Sequence, residues 1–239
     1  MSGRIARLMS GVGVALLLAI PWVPTPVSAD CPGGAIGLHY ANSYQSVTYS
    51  RGIEAWIGYT NPTLCTNGAG NDHSVEWVNL SRTGTNDGWI QMGWIKSRLY
   101  TGVRWYCEFT PRSSYDEDNY VLVIGATISS TTHKFTVKFN GGTNDWDCLL
   151  DAVLKTAYDY SYLGFSSGTF LGAGGEAHGP AHIQIGTNAP TKLWLTVMRY
   201  FNGTYWLPMN VQYETPDDPY TSGKTSPNTD DFWDQTGAH

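Results

Sequence analysis

The sequence predicts an all-β fold, an antiparallel β-sandwich or jelly roll, from three observations. Short runs rich in Val, Ile, Thr, Tyr, Phe and Trp follow one another along most of the chain. Clusters of Gly, Asn, Asp and Pro separate them, as turns require. One run alternates strictly, with Phe135, Val137 and Phe139 set between Lys134, Thr136 and Lys138, so one face is apolar and the other polar.

Taken in order, the first residues carry Arg4 and Arg7, an apolar stretch from Val12 to Ile20, and Val27-Ser28-Ala29 after a proline-rich step. A basic start, a short apolar run and small residues at the end make a cleavable export signal over 1–29, with cleavage after Ala29. The apolar run is shorter than the roughly 20 residues that cross a bilayer. The mature chain is then exported and holds no other membrane segment. Residues 30–214 form one sandwich domain, its strands expected at Ser46–Tyr59, Ser74–Leu80, Gly88–Lys96, Val103–Thr110, Tyr120–Ile128, His133–Phe139, Lys192–Tyr200 and Thr204–Leu207. Asn140-Gly141-Gly142 and Asn202-Gly203 read as tight turns. Asp147–Ala157 competes as a helical turn, because Leu149, Leu150, Val153 and Leu154 fall at helical spacing. From 215 to 239 prolines and aspartates dominate, which predicts a flexible or surface-draped tail.

The formal charge of −6, with no basic run, excludes nucleic acid and anionic membranes as partners. The residues imply no cofactor, and a monomer is the simplest state. Cys31, Cys65, Cys107 and Cys148 all lie in the mature chain, an even count that predicts two disulfides in an exported protein. Three pairings are open, of which one joins Cys31 to Cys65 and Cys107 to Cys148.

Two segments suggest a site. In Trp89-Ile90-Gln91-Met92-Gly93-Trp94, Ile90, Met92 and Trp94 share one face, so with that face in the core Gln91 stands on the other beside a bare glycine. In Gly174-Gly175-Glu176-Ala177-His178 a carboxylate sits among residues with almost no side chain, leaving room for a polymer to lie over it. Together with Ser74-Val75-Glu76-Trp77-Val78 and with Trp105-Tyr106 before Pro111, this layout resembles the glutamic peptidases of the eqolisin type. The resemblance implies a concanavalin-like sandwich and an acid-acting, secreted endopeptidase. By it, Gln91 would stabilise the oxyanion and Glu176 would activate water. Trp89 and Tyr106 would hold an extended polypeptide, and His178 would tune Glu176. A glutamate near its ordinary pKa of about 4.3 would place that activity at low pH. Glu108 is the second acid, on the strand after Gln91, and reads more simply as a surface carboxylate.

Other patterns carry less. Gly164-Phe165-Ser166-Ser167-Gly168 has the spacing of a nucleophile elbow, but Gly172, Gly174 and Gly175 follow where that motif needs a helix. His178 and His182 are four apart with Gly179 and Pro180 between them, so no helix can present both to a metal, and no metal is implied. Trp77, Trp105 and Trp194 read as core. The many tryptophans and tyrosines equally suit a non-catalytic, lectin-like module that binds carbohydrate, which is the competing function.

Overall fold

Apolar alternation with period two folds this chain into two antiparallel sheets laid face to face, as the sequence predicts. The computed structural model describes residues 36–64, 72–84, 88–111, 120–180, 192–211, 213–217, 220–224 and 230–236. The expected export signal over 1–29, Cys31, Cys65 and His182 lie outside them.

The first half of the chain forms β1 (Ile36–Ser50), β2 (Gly52–Ile57), β3 (His73–Ser81), β4 (Trp89–Ser97), β5 (Val103–Thr110), β6 (Val121–Thr127) and β7 (His133–Asn140). The second half forms β8 (Asp145–Leu150), β9 (Val153–Asp159), the one-turn helix α1 (Tyr160–Leu163), β10 (Gly168–Pro180), β11 (Leu193–Phe201), β12 (Trp206–Pro208), β13 (Tyr213–Pro216), β14 (Tyr220–Gly223) and β15 (Phe232–Thr236). Sheet A runs β13-β1-β10-β3-β4-β5-β6 and sheet B runs β14-β15-β11-β2-β7-β8-β9, with β12 paired to β11. Between them lies one apolar core, in which Ile90, Met92 and Trp94 of β4 face Ile53, Ala55 and Ile57 of β2 and Phe135 and Val137 of β7. A disulfide joins Cys107 of sheet A to Cys148 of sheet B with 6.4 Å between their Cα atoms. Closing a loop of 41 residues, it stabilises the fold by about 4 kcal/mol.

Four expectations change. The run from Ser46 to Tyr59 is two strands, because the chain leaves sheet A for sheet B at Arg51. There the Gly52 backbone passes so close to β7 that a Cβ would lie 2.7 Å from the Val137 carbonyl oxygen. Asp147–Ala157 contains no helix: Leu149 pairs with Leu154 and Leu150 with Val153 across a two-residue turn. Both turn residues, Asp151 and Ala152, have positive φ, as that hairpin demands. Apolar residues flanking a tight hairpin thus mimic helical spacing. The acidic segment after 215 supplies strands to the sandwich, and Phe232 of β15 is fully buried in the core. Finally, Trp94 and Trp146 fill the main core; Trp77 is buried as expected, in a second apolar cluster on the opposite face of sheet A, whereas Trp105 and Trp194 are only partly buried.

Candidate active site

Because Ile90, Met92 and Trp94 fill the core, the alternate residues Trp89, Gln91 and Gly93 point to the outer face of sheet A. The register sorts that face into cross-strand rows. One row runs Tyr44, Gly172, Asn79, Gln91, Glu108 and Leu122. The next runs Asn42, Gly174, Trp77, Gly93, Tyr106 and Ile124, and the one beyond it contains Tyr40, Glu176, Val75, Ile95 and Arg104.

The structure joins Gln91 to Glu108. Gln91 Nε2 donates to Glu108 Oε2 at 3.1 Å, and the other carboxylate oxygen accepts from Trp89 Nε1 at 3.0 Å and from the Thr110 hydroxyl at 3.3 Å. Asn79 Nδ2 lies 3.5 Å from Gln91 Oε1, and Asn79 Oδ1 accepts from the Ser81 hydroxyl at 2.9 Å. Gln91 is 8% exposed, so its rotamer is set by this network rather than by solvent. An amide nitrogen carries two hydrogens, and one remains after the bond to Glu108. Burial raises the Glu108 pKa above the ordinary glutamate range, and the bonds from Trp89, Thr110 and Gln91 oppose that rise.

Glu176 stands on the same face, two rows along and two strands away from Gln91. In β10 the residue level with Gln91 is Gly172, and four residues of strand separate it from Glu176, about 13 Å. Glu176 is partly exposed, yet its pKa is pushed up to about 8, first by burial of the carboxyl and then by the charge of Glu108. The two carboxyls therefore lie within electrostatic reach of one another. Glu176 is not held near 4.3, so the low-pH expectation built on that value changes.

Trp89 is a hydrogen-bond partner of Glu108, so it orients that carboxylate. Tyr106 is 1% exposed, which makes it part of the floor rather than a surface for substrate to stack on. His178, two residues beyond Glu176, stacks on His73 with ring centroids 5.5 Å apart and planes within 14°. Gly164 caps α1 in the left-handed conformation and β10 begins at Gly168, so Ser166 precedes a strand and no nucleophile elbow forms. Among the described residues no three His, Cys, Asp or Glu side chains are grouped to hold a metal ion.

The sequence pattern does not point to Asn79 or Thr110, and it presents Glu108 as a surface acid. Pairing β4 with β5 so that Trp89 faces Thr110 puts Gln91 opposite Glu108, and that register was the missing signal.

By sequence the chain matches no family profile and no curated protein. By structure it is similar to scytalido-glutamic peptidase bound to a transition state analog inhibitor, at 10% identity and a TM-score of 0.55, covering 84% of this chain and all of the other. The same peptidase with a peptide-based transition state analog gives 11% identity and a TM-score of 0.50, over 84% of this chain and 98% of that one. A glycoside hydrolase family 16 endo-glucanase from Bacteroides ovatus overlaps more loosely, at 14% identity and a TM-score of 0.37, over 63% of this chain and 71% of that one. Identities this low establish the jelly-roll sandwich and leave the activity to be argued from the site.

Proposed function

We propose that this chain is an exported endopeptidase that cleaves extended polypeptides on the outer face of sheet A, with Gln91 and Glu108 as the reacting pair and Glu176 as the second carboxyl. The hydrogen bond from Gln91 to Glu108 is the observation that carries it. Three neutral donors converge on Glu108 and favour its carboxylate form, which suits a general base. Glu176, protonated below about pH 8, suits a general acid. The sandwich shared with a glutamic peptidase supports the substrate class.

In the proposed reaction Glu108 takes a proton from water as its oxygen bonds to the scissile carbonyl carbon. The free N–H of Gln91 meets the developing oxyanion, a contact of the kind that contributes roughly 3 to 4 kcal/mol to transition-state stabilisation. The C–N bond then breaks as a water relay carries a proton from Glu176 to the leaving amine; Glu108 afterwards loses its proton to solvent and Glu176 regains one, which restores both groups.

This assignment requires Glu108 ionised and Glu176 protonated. The pH profile is therefore a bell whose acid limb lies above the ordinary glutamate range and whose alkaline limb lies near 8. The test is incubation of the folded mature chain with a denatured protein from about pH 2 to 9, with peptides read by mass spectrometry. Glu108→Gln should lose activity roughly 100- to 1000-fold, the scale of a removed catalytic group. Glu176→Gln should retain more activity and lose the alkaline limb. No cleavage by the folded wild type at any pH, with binding of oligosaccharides instead, would hand the site to the carbohydrate reading.

A further inference from the structure

The row between the two carboxyls contains three buried polar atoms with no hydrogen-bond partner among the described residues: Asn42 Oδ1, Trp77 Nε1 and the Tyr106 hydroxyl. Their residues are 1%, 4% and 1% exposed and come from β1, β3 and β5. Buried polar atoms in folded proteins are nearly always satisfied, by protein, water or ligand. Three orphans in one register row therefore mark a place built to receive something.

Glycines let the side chains of this row lie close over the sheet. In this row Gly174 and Gly93 alternate with Asn42, Trp77 and Tyr106. A Cβ on Gly174 would lie 2.9 Å from Asn42 Oδ1, so that oxygen leans over the glycine, and Gly174 also has φ +151. A Cβ on Gly172, one row away, would lie 3.0 Å from the edge of the Trp77 ring, so the indole leans toward Gln91's row. The orphan set contains one obligate acceptor in Asn42 Oδ1, one obligate donor in Trp77 Nε1, and one hydroxyl able to do either. It carries no charge, which suits a neutral group offering both a donor and an acceptor.

Resting on the hydrolase reading above, we propose that the Asn42–Trp77–Tyr106 row is a subsite for an amide group of the substrate, held between Glu176 and the Gln91–Glu108 pair. The amide oxygen accepts from Trp77 Nε1 and the amide N–H donates to Asn42 Oδ1, with Tyr106 closing whichever side the first two leave open. Burial, and after it the charges of Glu108, Glu176 and Glu76, holds the Tyr106 phenol protonated, so it remains a donor throughout the working pH range. Such an amide comes either from the substrate main chain or from an Asn or Gln side chain.

The test uses the full mature chain carrying Glu108→Gln to prevent turnover, titrated with three probes: a capped penta-alanine, the same peptide with a central Gln, and cellotetraose. Tyr106→Phe and Trp77→Phe, each added singly, should weaken peptide binding about 3- to 10-fold, the worth of one hydrogen bond. Neither should lower the melting temperature of the unliganded protein through a lost hydrogen bond, because no protein partner is lost. Loss with penta-alanine assigns the main chain, and loss confined to the Gln peptide assigns the side chain. The proposal falls if both substitutions leave peptide affinity unchanged, or if only cellotetraose binding responds. Its fate is separable from that of the hydrolase reading. Row-dependent peptide binding without cleavage by wild type sinks only the latter, whereas cleavage with KM unchanged by Tyr106→Phe and Trp77→Phe sinks only the former.

Discussion

The two sheets each carry a glutamate on their outer face, and they treat it in opposite ways. On sheet B, Glu54 is 3% exposed and held by two cations and a hydroxyl: Arg199 Nη2 contacts Oε1, while Oε2 accepts from Lys134 Nζ at 3.2 Å and from the Thr136 hydroxyl at 3.3 Å. On sheet A, Glu108 is held by neutral donors from Trp89, Gln91 and Thr110, and the group acting on Glu176 is another carboxyl. Contacts to two cations and a hydroxyl tie the Glu54 carboxylate into the scaffold. Withholding the cation lets burial raise the carboxyl above its ordinary range, so that it can exchange a proton, which acid–base chemistry needs. One fold thus separates a structural acid from a working pair on sequence features as similar as Gly-Ile-Glu54-Ala-Trp and Tyr-Cys-Glu108-Phe-Thr.

Two substitutions break this comparison most sharply. Glu108→Gln should remove nearly all turnover while leaving the melting temperature unchanged or higher, because it deletes a partly buried charge that no cation compensates. Arg199→Met should do the reverse. It strands part of the Glu54 charge and should cost about 2 kcal/mol, less than a fully buried pair because Arg199 is about one-third exposed. Thermal scans should then show a fall of about 4 to 8 °C with activity retained. If instead Glu108→Gln unfolds the protein and Arg199→Met is silent, the roles of the two acids are exchanged.

How far the sequence could reach follows the same division. The alternation in β7 and in β4 is a property of consecutive residues, so it shows which residues face the core and that Gln91 does not. The partner of Gln91 depends on how β4 and β5 are paired across the turn between them, and no consecutive pattern encodes that. The start of β1 at Ile36 is hidden for a related reason. Leu38, His39, Tyr40, Ala41, Asn42, Ser43 and Tyr44 mix polar and apolar types on both faces, because one face of this strand lines the site row. Strands β13 to β15 are hidden by composition, since prolines and aspartates usually mean solvent, and here one of those aspartates is in the interior. Functional rows and strand partners are where local pattern and global fold diverge.

That interior aspartate yields the subtlest test. Asp234 of β15 and Glu76 of β3 are both fully buried, and their side chains meet across the sandwich. Around them lie other acids and phenols: Tyr220 on β14 has its ionisation suppressed by burial and then by Asp217, and Asp72 before β3 is engaged by Arg98 at 3.7 Å. Burial pushes the Asp234 pKa up to about 7, with the bond to Glu76 opposing the rise. Two carboxylates are both acceptors, so the bond exists only while one carries a proton. A carboxyl raised in the folded state binds its proton more tightly folded than unfolded. Its contribution is therefore complete below the unfolded value near 3.9 and declines as pH rises through about 7. Glu176, raised to about 8, adds to the same slope. The melting temperature should fall between pH 5 and pH 8, and Asp234→Asn, which keeps a donor for Glu76 at every pH, should flatten that fall without abolishing it. A melting temperature that rises toward neutral pH, or an unchanged slope in Asp234→Asn, would show that the last strand is not fastened by a shared proton.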